Sequence, residues 1–508
     1  MESTRRWAAR RLAVTAPARL HRADATLEAG IVRSLTPAER LLRAAAWRSA
    51  GAPRRAIREL GRWHWRGELE ARRREELAHS WIAAGQPKRA LRVLPGGTRL
   101  PPALLLVRAE GERRVGWSLF PRPASGRWFH RSLRSAESCL ERSTGNVRRR
   151  ALEIILETAT ETGRLEEAWR AWRKLAASGW QGRRRGWLGR RLGVAMARTH
   201  RWPERITELA AELPVHRACL EYWSAAGSIS GRGILRRLAA TEPGGLYAAW
   251  ARSQLGVPGP RRVHLAPPVG AGEPPAPVAL LLAWGDAEGA RWQWRRYRKV
   301  RGALPAEAIA AATLEVAGPR PGEAIRWLRR SFPKLGGPDL EGCPSDAVQL
   351  YLPLRWSTAL HRAAREAGID PWLLAGVVRQ ESSFVAHARS SRGAVGLAQL
   401  IPTTARRHAR ALGLGRPDLE DPATNLRLAA RELAHLLDRF GAVEPALAAY
   451  NAGETRTARW WKRWPEPHRF TEEIPVPETY NYVRRVVFLA QAYRAVWDEA
   501  LTSSTPQR

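Results

Sequence analysis

The sequence predicts an all-α protein in two parts: an α-solenoid of helical hairpins over residues 1–345, then a second helical domain over 346–508. Three observations carry this. Two segments near the start match at a spacing typical of helix–turn–helix repeats. Glycines and prolines in the same stretch fall where helices end and begin. From Tyr351 onward the texture changes, with sharper helix-start signals and with Gly and Pro at element ends. At 508 residues the chain exceeds one ordinary domain, and its 44% hydrophobic content suffices for packed cores.

The matching segments are WRSAGAPRRAIREL from Trp47 and WIAAGQPKRALRVL from Trp81, a step of 34 residues. Gly51 and Gly85 suit a helix C-cap, and Pro53 and Pro87 suit the first turn of the next helix. Ala56 and Ala90 are small enough for paired helices to approach closely. Weaker echoes follow at Gly163 with Ala168, at Gly285 with Ala290, and at Ala324 with Ile325. The period predicts tetratricopeptide-like helical hairpins stacked as a solenoid. A Pro/Gly-rich stretch, HLAPPVGAGEPPAPVALLLAW from His264, reads as a long loop inside the array.

The formal net charge of +37 is mostly arginine and calls for an anionic partner: nucleic acid, a membrane surface or an acidic polymer. Most of the 24 tryptophans are expected in cores, since large aromatics are mostly buried. Exposed ones would suit stacking on bases or sugar rings. Cys139, Cys219 and Cys343 lie far apart with no CxxC pair, which excludes a zinc ribbon or a disulfide scaffold. No HExxH, Cys/His cluster or P-loop occurs, so neither a metal nor a cofactor is expected. No window has the length of a membrane span, and the first thirty residues carry arginines without a continuous apolar run.

Chemistry concentrates in IDPWLLAGVVRQESSF. Asp370 suits an N-cap and Pro371 the first helical position. Leu374, Val377, Val378 and Glu381 follow at i, i+3, i+4 and i+7, which sets a carboxyl group on the apolar face. Desolvation there disfavours the charged form and raises the pKa, as a general acid requires. The alternative is a glutamate at a frayed helix end, turned to water or to a nearby arginine. A loop follows with Ser390, Gly393, Gly396 and Gln399, and Pro402 opens the next helix. Its glycines would let backbone amides approach a ligand, and its glutamine both donates and accepts.

Four motifs now stand in order: Glu381-Ser382, GAVGLAQLIPTTA, AAYNAG (448–453) and IPVPETYNYV (474–483). Together they resemble the lytic transglycosylase domain of soluble murein transglycosylases, a lysozyme-like α-helical fold, over about 355–497. The helical array upstream resembles the α-superhelical domain that such enzymes carry. The resemblance implies that Glu381 is the single catalytic acid/base. It also implies that Ser390 lies near the reacting sugar, Gln399 lines the groove, and Tyr450 reaches toward the catalytic carboxylate with Asn451 beside it. Glu478 and Tyr482 would shape the saccharide and peptide site. Ala398 and Ile401 stand where the family commonly has Met, and Ala429 and Glu432 where Gly and Tyr are frequent, which puts subsite shape in doubt.

Hydrolytic glycosidases usually pair two carboxylates across the bond. Asp370 and Asp421 read as helix caps, so Glu478 is the one serious candidate for a second carboxylate, with a structural acceptor the favoured role. The resemblance then implies cleavage of the MurNAc–GlcNAc β-1,4 bond to 1,6-anhydro-MurNAc ends, on peptidoglycan glycan strands. The expected location is the periplasm or cell envelope, and the expected state a monomer with peripheral contact to cell wall or membrane surface. No nucleic-acid partner is expected. Two other readings stay open: a nucleic-acid- or protein-binding helical-repeat protein with an inactive lysozyme-like domain, or a hydrolytic muramidase. Trp460, Trp461 and Trp464 in RWWKRWPEPHRF suit either sugar stacking or a packed loop.

Overall fold

The computed structural model describes residues 2–502 except 24, 97–99, 120–122, 227–229, 242–244, 258–262, 302–303, 317–320 and 337–339. Among the described residues the elements are helices, with isolated bridges and no sheet, so the protein is all-α as predicted. The chain forms two compact units, Met1–His216 and Arg217–Arg508.

In the first unit the sequence builds hairpins, among them Pro37–Ser49 with Pro53–Gly61, Gly67–Ala83 with Pro87–Val93, and Gly145–Glu161 with Leu165–Ala177. Each of these turns on a left-handed glycine: Gly51, Gly85 and Gly163 have φ of 77°, 75° and 74°. A side chain would strain the backbone there. Five residues on, Ala56, Ala90 and Ala168 have no exposed surface, which lets the returning helix close on its partner. Buried Trp47, Leu60 and Leu77 fill one inter-hairpin core, and burying each such side chain is worth about 1.5–3 kcal/mol.

Many arginines of this unit are engaged internally. Arg113, itself buried, meets Glu157 at 3.0 Å and Glu110 at 3.2 Å. Arg40 lies over Trp63 and Arg55 over Trp47, each 4.5 Å from the ring centroid, and Arg89 lies 5.0 Å from that of Trp81. These cation–π contacts cover ring faces that a stacking role would need free.

The second unit begins at Arg217 and holds the segment from 346 onward together with helices before it. The reason is packing. One core joins Ile309, Leu328, Leu340 and Val348 to Leu374, Val378, Phe384, Leu397, Leu489 and Tyr493. Earlier helices of the unit also dock on its end: the buried Tyr247 hydroxyl donates to Glu472 at 2.6 Å, and Trp250 stacks on His468 at 4.1 Å. The Pro/Gly-rich loop is strapped to the start of the helix Ser345–Tyr351. The N–H of Ala266 donates to Cys343 O at 2.9 Å, and Asp346 accepts from the N–H of Gly270 at 2.8 Å.

Among the described residues the C-terminal segment from Ser357 has eight helices: α1 (Ser357–Ala367), α2 (Pro371–Glu381), α3 (Pro402–Ala411), α4 (Pro422–Phe440), α5 (Val443–Ala452), α6 (Glu454–Arg463), α7 (Pro467–Glu473) and α8 (Pro477–Thr502). Asp370 and Asp421 are the caps expected, accepting from Trp372 N at 3.0 Å and Thr424 N at 2.8 Å. Helix α2 lies directly against α8. A Cβ at Gly376 would stand 3.0 Å from Val486 O and 3.1 Å from Ala490 N, so only glycine fits this approach without displacement. Trp460 and Trp464 are buried, and Trp461 packs edge-on against Phe470 with centroids 5.4 Å apart. The Trp-rich loop is thus a packed element.

Candidate active site

Helix α2 delivers Glu381 at its last residue, after Leu374, Val377 and Val378, each fully buried. The chain then turns sharply. Ser383 and Phe384 both take left-handed backbone conformations, with φ of 54° and 64°. Two such residues in succession, one of them bulky, are uncommon and cost energy. Burial of Phe384 in the core, with no exposed surface, offsets that cost. The buried Arg379 braces the turn, donating to Tyr351 O at 2.9 Å and to the Ser383 hydroxyl at 3.2 Å.

The carboxyl group of Glu381 is half-buried. Desolvation pushes its pKa up to about 7, and the nearby charge of Glu478 adds to the rise. A hydrogen bond from the Tyr482 hydroxyl to Oε1, at 2.7 Å, opposes it by favouring the carboxylate. Tyr482 is itself buried; desolvation, then the neighbouring Glu381, holds its phenol well above the ordinary range, so it stays a neutral donor. Glu478 is exposed at the start of α8.

The loop after α2 is held from three sides. Ser382 Oγ donates to Leu397 O at 2.7 Å, and the Tyr450 hydroxyl donates to Ala398 O at 2.9 Å. Asn425, with no exposed surface, accepts from Ala398 N at 2.9 Å and donates to Val395 O at 3.1 Å and Leu419 O at 2.9 Å. Gly396 has φ of 83°, and a Cβ there would come within 2.1 Å of Asn425 Nδ2, so both conformation and space require glycine.

The expected site residues take different roles in this geometry. Tyr482, rather than Tyr450, bonds the Glu381 carboxyl; Tyr450 is close enough to feel its charge while bonding the loop backbone. Gln399, left-handed with φ of 50°, turns its Nε2 onto Ala388 O and Gly396 O, each 2.9 Å away, and so braces the loop. The Ser390 hydroxyl accepts from Ala394 N at 3.0 Å. Asn451 Oδ1 accepts from the Thr479 hydroxyl at 2.8 Å, tying α5 to α8. Sequence reasoning assigned no role to Asn425; its signal was a lone asparagine one turn inside α4, where a solvent-facing residue looks the same. Glu432, where the resemblance leads one to look for Tyr, is buried beside His408 at 2.5 Å and Arg407 at 2.6 Å. Burial opposes its charge, yet those partners hold its pKa below the ordinary value. Among the described residues no cluster of His, Cys, Asp or Glu has metal-site geometry, and no helix is long and apolar enough to cross a membrane.

A group whose pKa rises from 4.5 to about 7 on folding keeps a proton that the unfolded chain gives up. Its contribution to stability is therefore present below pH 4.5 and lost as pH climbs through 7. Glu381→Gln removes that loss. Unfolding free energies from denaturant titration should match wild type at pH 4 and exceed it at pH 8, by about 2 kcal/mol after allowing for solvent screening. Equal stabilities at pH 8 would contradict the desolvated carboxyl.

Comparison with known proteins shows what this segment is similar to. Residues 358–470 match the family model Transglycosylase SLT domain. A transglycosylase of Enterobacteria phage PRD1 is 40% identical over 107 residues, covering 21% of this chain and 38% of its own. The putative soluble lytic murein transglycosylase of Haemophilus influenzae is 34% identical over 149 residues, covering 28% of this chain and 25% of its own. The chain thus spans well under half the length of these curated relatives. The fold extends further: an inactive mutant of the lytic transglycosylase Slt from Pseudomonas aeruginosa aligns over 99% of this chain and 87% of its own, at 20% identity and a TM-score of 0.54. The 70-kDa soluble lytic transglycosylase of Escherichia coli aligns over 96% and 77%, at 18% identity and the same TM-score of 0.54. The segment bearing Glu381 thus matches the transglycosylase SLT domain model, in a chain that shares the fold of these soluble lytic transglycosylases.

Proposed function

We propose that this protein is a lytic transglycosylase of peptidoglycan, acting in the periplasm or cell envelope, which cleaves the MurNAc–GlcNAc β-1,4 bond and leaves 1,6-anhydro-MurNAc ends. The observation that carries the reading is one desolvated carboxyl, Glu381, poised near neutral pH on a domain of this family. Protonated Glu381 gives its proton to the glycosidic oxygen, and the C1–O bond breaks. The acetamido oxygen of the same sugar closes on C1 and carries the positive charge, as in substrate-assisted glycosidases. The Glu381 carboxylate then removes the proton of the C6 hydroxyl, whose oxygen attacks C1 and releases the acetamido group. No water is consumed, and Glu381 regains its proton.

Tyr482 is a positioning residue in this scheme. It orients the carboxyl and keeps its pKa from rising further. Glu478 is exposed but close enough for its charge to raise the Glu381 pKa, so the products, not its position, separate the single-acid route from a two-carboxylate hydrolysis. We assign the helical array of residues 1–345 to holding the anionic polymer, in keeping with the charge of +37. The family match over residues 358–470 favours this reading over a nucleic-acid role.

Mass spectrometry of murein sacculi digested by the protein, beside a Glu381→Gln control, tests the reaction. Anhydromuramoyl ends from wild type only are expected. Reducing ends would mean hydrolysis and bring Glu478 forward. Tyr482→Phe removes the bond that favours the carboxylate, so the basic limb of kcat/KM should move to higher pH while kcat falls about tenfold. An unmoved limb would leave Tyr482 a packing residue.

A further inference from the structure

One helical hairpin of the second unit carries an apolar helix that the fold leaves uncovered. Its first helix, Ala276–Ala283, and the tryptophan that ends it read APVALLLAW, nine residues without a charge. Its second, Ala287–Arg301, reads AEGARWQWRRYRKVR, with six basic residues and one acidic. The inner face of the hairpin is settled. Val278, Ala290 and Trp294 are buried with Ala311 and Trp327 of the helices Pro305–Val316 and Pro321–Ser331, and Leu281 packs on the same core. Arg295 is paired with Glu315 at 2.7 Å.

A helix apolar all round is ordinarily buried on every side. In Ala276–Ala283 only Val278 is buried. Leu280, Leu282 and Trp284 face solvent, and so does Trp292 on the second helix; the two indoles are 72% and 55% exposed. Pro277, Leu280 and Trp284 fall at i, i+3 and i+7, an exposed stripe distinct from that of Val278 and Leu281. Trp63, also exposed, has Arg40 over its ring, whereas the Trp284 ring has no such cover among the described residues. Arg296, exposed one turn beyond Trp292, lies 5.6 Å from the centroid of that ring. The two acidic residues, Asp286 and Glu288, are confined to the turn, where Asp286 accepts from Gly289 N at 2.8 Å.

Exposed indoles and leucines beside a basic helix have the chemistry of an interfacial anchor. Rings settle at the level of lipid headgroups, and arginine stems lie along the apolar layer while their guanidinium groups meet phosphates. We propose that this hairpin docks the protein on an anionic phospholipid bilayer, with Leu280, Trp284 and Trp292 entering the interface and Arg296 at the headgroups. Charge selects this occupant. A chain of net charge +37 repels a second copy of itself and is drawn to anionic lipid. The four apolar side chains alone also fall short of the roughly 800 Å² per partner that a stable protein interface takes. The inference needs no murein cleavage and stands apart from the transglycosylase reading.

Co-sedimentation of the full chain with vesicles tests it at about 0.15 M salt, where exposed charges are screened beyond about 8 Å. The vesicles are equimolar phosphatidylglycerol and phosphatidylcholine, or phosphatidylcholine alone. Wild type should bind the anionic vesicles, and Leu280→Ser/Trp284→Ser/Trp292→Ser should weaken that binding about tenfold or more. Leu280→Met/Trp284→Phe/Trp292→Phe should retain it, which separates lost apolar contact from misfolding. Equal binding by wild type and the serine variant would overturn the proposal, leaving charge adhesion spread over the basic surface. So would no binding by wild type, or equal affinity for phosphatidylcholine alone. Light scattering without lipid decides against the other occupant: a wild-type dimer that the serine changes dissolve would assign the face to a second copy and overturn the bilayer.

Discussion

The structure depends on one unfavourable act, the desolvation of a carboxyl group at Glu381. Left alone, a glutamate at a helix end turns to water. Here α2 runs against α8 at glycine distance, and Leu374, Val377 and Val378 before Glu381 are fully buried, so the half-buried carboxyl is partly desolvated. A proton is the cheapest compensation, and the group's pKa climbs toward neutrality. Tyr482, from the same helix that buries Glu381, supplies a single donor that limits the rise. Burial and hydrogen bond thus set the acid between them, and both come from the α2–α8 contact.

The surrounding loop must therefore stay fixed, and it is fixed mostly through its backbone. Ser382, Tyr450 and Asn425 each bond a main-chain atom between Val395 and Ala398. Gln399 spends its amide on the same loop. The strained residues Ser383, Phe384 and Gln399 bracket this region. Conformations of that kind persist where surrounding contacts over-determine them, and they gather at sites that need preorganisation.

How much of this was legible follows from the kind of physics involved. Helix starts at Pro371 and Pro422, the left-handed glycines of the hairpins and the apolar face carrying Glu381 are local, and periodicity and caps express them. The partner of Glu381 was harder. Tyr450 and Tyr482 are both tyrosines near the site, and only the register of α8 against α2 decides which hydroxyl reaches the carboxyl. Gln399 reads as a ligand residue until its left-handed backbone turns the amide inward. The change of texture at 345/346 is local, whereas the packing of Ile309, Leu328 and Val348 with Leu374, Leu489 and Tyr493 in one core is a long-range choice that composition does not carry.

The central claim is that Glu381 holds its proton near neutral pH because of where the helix puts it. A carbon-13 NMR titration of the Glu381 side-chain carboxyl, assigned by its loss in Glu381→Gln protein, measures this directly. The account predicts an apparent pKa near 7. A midpoint at the ordinary glutamate value of about 4.3 would contradict it, leaving the carboxylate solvated and the single-acid mechanism without its acid.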